Sequence, residues 1–479
     1  MHYRLRPYQT ASVDRARDLI RAGKRRILIV APTGAGKTVI GCAIIDMALE
    51  RKSRVLFLAH RQELIEQCSK KLDENRIDHG VIRSGHWRDL PHLPVQVASV
   101  QTLARRSEMP PADLVITDEA HHVAAGSYLK ILDHYPNASS LGLTATPYRT
   151  DGKGLGDFYE ELVEVTDIPT LIGEGFLVEP VTYAPAVPDL DGVATIAGDY
   201  NRKQLASAMD KPKLVGDLVR TWIRYASDRT TVAFAVSVEH SRHIVAEFEA
   251  CGIAAAHLDG ETPEDERNDI LARLADGRLQ LVSNMGILTE GWDLPRTGCV
   301  ILARPTQSRG LYFQMVGRGL RTVAGKGNCI VLDHAGCCLR HGHVTDPQEY
   351  SLAGVKKKGG PNAASVRTCP QCYLTMPAGT PTCAGCGHVF IAVQRDAMPD
   401  QVDGELVLQA PKVYLPHADD DRKRLKYAEL VETAAANHYK PGWAAVRFKI
   451  LFGHMPRPEH TRRDLVHAVL TPTDGAGER

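Results

Sequence analysis

ILIVAPTGAGKT, residues 27–38, decides how the rest of the chain is read. A short apolar run leads into a glycine-rich turn, and a helical pattern, VIGCAIIDMALE, follows. Strand, turn and helix in that order form the setting in which Ala31-Pro-Thr-Gly-Ala-Gly-Lys-Thr38 can hold phosphates. Glycines let successive backbone N–H groups converge on an anion, and the start of the helix adds its dipole. In that reading Thr33, Gly34, Ala35 and Gly36 wrap the phosphates of ATP. Lys37 reaches the β- and γ-phosphates, and the Thr38 hydroxyl ligates Mg²⁺. Alanine stands where such loops usually begin with glycine, and the string alone also fits a plain glycine-rich turn.

The same rhythm extends outward. VLFLAH (55–60), VQVASV (95–100), LVITDEAHH (114–122) and SLGLTATP (140–147) are short apolar runs separated by amphipathic helical stretches. That alternation predicts an α/β domain, a parallel sheet wrapped by helices. Turn signals and the segment EPVTYAPAVPDLDG interrupt it over residues 150–200, which read as a connector with room for strands of its own. It restarts at TVAFAV (231–236) and continues through LQLVSNM, GCVILAR and NCIVLDHA, which predicts a second α/β domain of similar size. The expected organisation is a first domain over 1–170, a connector over 171–205 and a second domain over 206–350. A linker (351–365), a Cys-rich module (366–392) and a helical C-terminal segment (393–479) follow.

Asp118-Glu-Ala-His121 closes the strand LVIT. Two adjacent carboxylates at a strand end suit two tasks: Asp118 holds Mg²⁺, and Glu119 takes a proton from an attacking water. An acidic helix cap is the bland alternative, and the phosphate loop upstream weighs against it.

Length and composition set bounds. The 479 residues suffice for three or four domains. Hydrophobic residues make up 43% and charged residues 24%, values of a globular chain. A net charge of +1 excludes a polycation, so nucleic-acid binding would need local basic surface. MHYRLRPYQT has no apolar signal-peptide core, and no apolar run approaches the ~18–20 residues that span a bilayer. A cytoplasmic setting, in a bacterium or a phage-infected host, is expected.

With these motifs in order, residues 1–350 resemble the two RecA-like domains of superfamily 2 helicases and translocases of the DEAH type. The resemblance implies roles for further segments. Leu5-Arg-Pro-Tyr-Gln9 is similar to the adenine-reading segment, with Arg6 and Gln9 as contacts. Phe57-Leu-Ala-His-Arg61 and Ser99-Val-Gln-Thr102 resemble motifs Ia and Ib, which places His60, Arg61, Ser99, Gln101 and Thr102 against a nucleic-acid backbone. Thr144-Ala-Thr146 resembles motif III. Leu288-Thr-Glu-Gly-Trp-Asp293 resembles motif V, with Thr289 facing nucleic acid and Gly291 and Asp293 facing the nucleotide. Gln314-Met-Val-Gly-Arg-Gly-Leu-Arg321 resembles motif VI. Its two arginines, three apart in a helical pattern, would share one face. Arg318 and Arg321 then act as arginine fingers from the second domain, and Gln314 helps place the water. The motif order, with GWDLP and a Cys-rich C-terminal segment, further resembles bacterial RadD-type and phage or prophage helicases. Ser283-Asn284, and the spacing in SNMGILTEGWD, look more like DNA-handling than RNA-handling relatives.

Eleven cysteines, an odd number, are scattered except for Cys369/Cys372 and Cys383/Cys386. That distribution argues for a reducing compartment and a metal rather than a disulfide framework. Two Cys-x2-Cys pairs ten residues apart have zinc-ribbon spacing, and four thiolates close a tetrahedral Zn²⁺ site with no open position. The remaining cysteines read as small core residues.

The leading expectation is an ATP-driven motor on DNA, single-stranded or branched, with a replication or repair protein as partner through the C-terminal region. RNA is the alternative track. A recruitment factor with a slow ATPase switch, and the motor subunit of a restriction system, are the competing classes.

Overall fold

RILIV forms β1 (Arg26–Val30), buried over its last four residues, as suits a strand covered on both faces. The computed structural model describes residues 5–149, 151–185, 188–196, 198–354, 366–390, 420–436, 438–439, 442–452 and 454–457. The apolar runs quoted above become β2 (Val55–Ala59), β4 (Val95–Ser99), β5 (Leu114–Asp118) and β6 (Ser139–Thr144), with β3 (Gly80–Ile82) and β7 (Glu161–Glu164) at the margins. Together they make a seven-stranded sheet of order β3-β4-β2-β5-β6-β1-β7, parallel at every pairing. Parallel strands release the chain at one edge of the sheet. Because β5, β6 and β1 are neighbours, the residues after Asp118, Thr144 and Val30 emerge side by side.

The second sheet has six strands: β8 (Glu179–Tyr183), β11 (Thr231–Phe234), β12 (Ala255–Leu258), β13 (Leu281–Asn284), β14 (Cys299–Leu302) and β15 (Asn328–Asp333). Its order is β12-β13-β11-β14-β15-β8, again all parallel. A short hairpin, β9 (Thr195–Ile196) with β10 (Asp199–Tyr200), precedes β11. Two parallel-sheet α/β domains are therefore present.

One boundary differs from expectation. β8 falls inside 171–205, the stretch read as a connector, yet it belongs to the second sheet. EPVTY shows no apolar run because it is an edge strand and only half-buried. The edge position also tolerates Pro180, which has no N–H to give. The start of the expected linker differs too. Gly156 donates its N–H to the Leu352 carbonyl at 2.9 Å, so residues 351–354 pack back onto the first domain. Residues 355–365, including the Lys356-Lys-Lys358 run, lie outside the described residues.

The Cys-rich module folds as β16 (Val366–Thr368) against β17 (Thr375–Pro377), antiparallel. It sits on the free edge of β8. Ala184 N–H donates to the Tyr373 carbonyl at 2.9 Å, and Thr375 Oγ1 donates to the Thr182 carbonyl at 3.0 Å. Tyr225 Oη donates to the Cys372 carbonyl at 3.0 Å, and its ring stacks on Tyr183. An open strand edge is a template for unwanted pairing, and the module covers this one.

Residues 1–392 form one compact unit and 393–479 another. In the second, helices Asp420–Ala436 and Trp443–Phe452 pack through Leu430, Ala444, Phe448 and Phe452. The rest of the expected helical C-terminus, 393–419 and 458–479, lies outside the described residues, as do Lys440 and Pro441. Among the described residues no helix is long and apolar enough to cross a membrane.

Candidate nucleotide site and interdomain cleft

The turn after β1 is built on positive backbone angles. Gly34 and Gly36 have φ of +91° and +85°, values that L side chains rarely adopt. Neither position has room for a side chain. A Cβ on Gly34 would meet Leu177 at 2.6 Å, and one on Gly36 would meet the Gln9 amide at 2.5 Å. Lys37 opens the helix Lys37–Glu50, so the turn delivers backbone N–H groups, a helix N-terminus and an ammonium to one place. This cradle fits the phosphates of a nucleotide.

Asp118 and Glu119 close β5 opposite that turn, and both are buried. Glu119 sits at φ 48°, ψ 54°, a left-handed conformation that turns its side chain toward Lys37. Lys37 Nζ lies 3.5 Å from Glu119 Oε1. Burial favours the neutral acid, but the Lys37 charge and His121 outweigh it and hold the Glu119 carboxylate below its usual range. Asp118 is shifted the other way, by burial first and by the Glu119 charge second. A divalent cation at Asp118 would reverse that shift, so this carboxyl fits Mg²⁺. His121 Nδ1 hydrogen-bonds Thr144 Oγ1 at 3.1 Å, joining the end of β5 to the start of the 144–146 segment. Glu119 Oε2 is buried beside His121 Nδ1, 3.3 Å away.

Of the two residues expected to read adenine, Gln9 braces the loop and Arg6 lies over an aromatic ring. Gln9 Nε2 donates to the Ala35 carbonyl at 2.8 Å, and the Arg6 guanidinium lies 3.7 Å from the Phe176 ring centroid.

The 314–321 segment reaches this site from the second domain. Gly317 is pressed against Thr33 of the phosphate loop, where a Cβ would come within 2.6 Å. One expectation is corrected. The helix runs Arg309–Gly317 and stops, so Arg318 is its cap and Arg321 lies beyond it. The two arginines do not share a helical face, because the turn through Gly319 ends the helix between them. Arg318, fully buried, donates to the Thr289 carbonyl at 3.1 and 2.8 Å and to the Trp292 carbonyl at 2.5 Å. Arg321 is ion-paired with Asp293. Motif V thus carries both guanidiniums at the seam. Gly291 abuts Glu63, whose Cβ a side chain there would meet at 2.7 Å, and Thr289 is buried.

His60 and Arg61, expected to contact nucleic acid, border the cleft between the sheets. Both approach Glu290, His60 Nε2 at 3.0 Å and Arg61 Nε at 2.9 Å. Arg61 also donates to the Gly286 carbonyl at 3.1 Å. The cleft has a volume of about 190 Å³ and is lined by Arg61, His121, Glu290 and Gln314 among others. Gln101 Nε2 donates to the His60 carbonyl at 2.9 Å, and Ser99 Oγ caps the Thr102 N–H at 3.4 Å. Glu290 and Phe176 had no role in the sequence reading. Glu290 stands inside LTEGWD, but nothing local singles it out from its neighbours.

The four cysteines of the module come together with all sulfurs within 4.8 Å of one another. Cys369 and Cys386 are 3.6 Å apart, Cys372 and Cys383 3.5 Å. Four thiolates at 2.3 Å from one tetrahedral Zn²⁺ would stand slightly farther apart, so the set fits that ion. The turns after each pair pass through left-handed residues, Tyr373 at φ 60° and Gly387 at φ 75°. Of the other cysteines six are buried, but Cys251, read as a core residue, is exposed.

A phosphate cradle on one parallel sheet, faced by arginines from a second, defines a two-domain P-loop ATPase. Two family descriptions match the chain: "Type III restriction enzyme, res subunit" over residues 2–149 and "Helicase conserved C-terminal domain" over residues 210–323. A 51.5 kDa protein of Lactococcus phage (isolate 7-9) is 31% identical over 434 residues, covering 89% of this chain and 90% of that one. The Saccharomyces cerevisiae protein named "Putative ATP-dependent helicase IRC3" is 33% identical over 354 residues, 69% of this chain. The chain spans only 51% of that yeast protein's length. A solved fragment assigned to a type I restriction enzyme of Vibrio vulnificus shares the fold, with a TM-score of 0.57 and 22% identity over 71% of this chain and 66% of that one. The chain belongs to the superfamily 2 helicases, and it is a nucleic-acid-dependent ATPase of helicase type.

Proposed function

We propose that the protein couples ATP hydrolysis to movement along DNA, or remodelling of it, in repair, recombination or replication. The observation that carries this reading is the seam between Gly317 and Thr33, where the second domain rests directly on the phosphate loop. Any change in the nucleotide must alter that seam. Motif V, which holds Arg318 and Arg321, would move with it, and so would the nucleic-acid contacts expected of Thr289, Ser99, Gln101 and Thr102. In this reading Lys37 and residues 33–36 bind the phosphates, and Thr38 and Asp118 hold Mg²⁺. Glu119 takes the proton of the attacking water, Gln314 helps to order that water, and Arg318 and Arg321 supply positive charge. Mg²⁺ itself would neutralise charge on the phosphates. DNA is favoured over RNA by Ser283-Asn284 and the motif V spacing. Grip on the backbone rather than the bases implies low sequence specificity.

The test is ATP hydrolysis measured alone, then with single-stranded, double-stranded and forked DNA, and with RNA. Strong stimulation by one DNA form is expected. Flat rates across all of them would overturn the motor reading in favour of a slow switch, and stimulation by RNA alone would overturn the choice of track.

Zinc, in this proposal, builds a ribbon that is part of the second domain. The carbonyls of Cys372 and Tyr373 are bonded to Tyr225 and Ala184, so losing the metal frees the edge of β8 as well. Metal-driven folding of so short a segment is folding energy for whatever it is docked to. Chelation, or Cys372→Ser, is expected to lower the melting temperature by ~5 °C or more. An unchanged melting curve in zinc-stripped protein, with metal loss verified by elemental analysis, would contradict the structural role.

A further inference from the structure

Glu290 is a carboxylate in the cleft that segments of both domains use at once. Its Oε2 faces His60 Nε2 at 3.0 Å and Arg61 Nε at 2.9 Å, both from the first domain. Its Oε1 accepts from Gln314 Nε2 at 3.3 Å, with His122 Nε2 at 3.8 Å and His121 Nε2 at 3.9 Å. The side chain is 6% exposed. Burial alone would raise its pKa, yet the neighbouring His122 and His60 rings and the Arg61 charge hold it well below the usual carboxylate range. An ionised carboxylate so buried persists only when its partners stay in place. The backbone beside it is equally constrained, since Gly291 is packed on Glu63 and its carbonyl accepts from Gln67 Nε2 at 3.1 Å.

The geometry points to Glu290 as a positioning residue that registers the His60–Arg61 segment of the first domain against Gln314 of the second. The chain of contacts is continuous. His121, 3.9 Å from Glu290 Oε1, is also 3.3 Å from Glu119 Oε2, the acceptor proposed for the water proton. A shift of His60 and Arg61 when nucleic acid binds the adjoining 99–102 segment therefore pulls on Glu290. Glu290 in turn sets Gln314 and His121 beside the hydrolytic carboxylate. Glu290 touches neither phosphate nor water in this scheme, and it acts through the groups that do. Glutamine is a poor substitute because its amide N–H₂ would face one of these donors, a donor against a donor.

This inference rests on the motor reading, and the experiment separates the two. ATP turnover at saturating stimulating DNA is compared for wild type, Glu290→Gln, Arg61→Gln and the double variant, with melting temperature and KM for ATP measured in parallel. Breaking a buried charge pair from one side predicts a fall in stimulated kcat of roughly 30-fold for Glu290→Gln. KM for ATP should stay within about threefold, because the nucleotide contacts are untouched. The double variant should lose no more than the worse single one. Losses that multiply to within about twofold would make the residues independent and overturn the proposal. A Glu290→Gln protein as fast as wild type would do the same. If Glu290→Gln melts early, Arg61→Gln carries the test, since its side chain is 28% exposed. It must show the kcat loss at an unchanged melting temperature, and wild-type stimulation in that variant overturns the proposal. A wild type that no nucleic acid stimulates defeats the motor reading itself, whereas a stimulated wild type with an additive cycle defeats only the role of Glu290.

Discussion

Arg321→Ala is expected to lower ATP turnover by ~10³–10⁵-fold while nucleotide binding changes far less. Arg321 leaves the end of motif VI four residues after Gly317, which is pressed on Thr33 of the phosphate loop. Its neighbour across the seam is Leu177, the residue that fills the space beside Gly34. In the structure its guanidinium pairs with Asp293, and burial pushes its pKa down from the ordinary arginine value while Asp293 holds it up. A guanidinium held against one carboxylate at the edge of a phosphate cradle is positioned to exchange that partner for a phosphate. The exchange stabilises charge that grows only in the transition state, so it raises kcat more than affinity. Arg321→Lys should recover only part of the rate, since an ammonium cannot reproduce the planar fork. Steady-state hydrolysis beside nucleotide binding by fluorescence checks both. A loss below about tenfold, with nucleotide saturating, would remove Arg321 from the reaction.

Glu119→Gln should reduce hydrolysis by ~10²–10⁴-fold, the worth of a positioned base. Three features converge on that residue. Its backbone is left-handed at φ 48°, which is strained for a side-chain-bearing residue and orients the carboxylate toward Lys37. The carboxylate is kept ionised at neutral pH by Lys37 and His121 despite its burial. One oxygen has Lys37 Nζ at 3.5 Å and the other His121 Nδ1 at 3.3 Å, so the carboxylate is held in one orientation. Glutamine keeps shape and removes basicity, so nucleotide should still bind and accumulate unhydrolysed. Binding measured by equilibrium titration beside the hydrolysis rate distinguishes this from collapse of the site. Hydrolysis within about tenfold of wild type would move the role of base to another group.

The phosphate loop, the paired carboxylates and the four cysteines were legible because each chemistry demands contiguous residues or a fixed short spacing. Glycines at 34 and 36 are legible for a local reason too, since only glycine reaches φ near +90° at no cost. Likewise the interior strands of both sheets announce themselves as apolar runs, because a parallel strand is covered on two faces. β8 did not, because it is an edge strand whose burial comes from a ribbon almost two hundred residues later in the chain. The helix carrying Gln314 also ended sooner than its pattern suggested, at Gly317, which moved Arg321 off the face assigned to it.

By itself, then, the sequence determined which chemical groups are present and their local conformation: a phosphate cradle, a carboxylate pair, arginines and a thiolate set, on two α/β domains. Tertiary structure alone decided which of them meet. Glu290 reaches His60 across 230 positions of sequence, and Arg318 finds the carbonyls of Thr289 and Trp292 rather than a free surface. The physical reason is range. Backbone angles and spacing are set by neighbours along the chain, whereas the ionisation of a buried carboxylate and the aim of a guanidinium are set by whatever the packing of two sheets brings within a few ångströms.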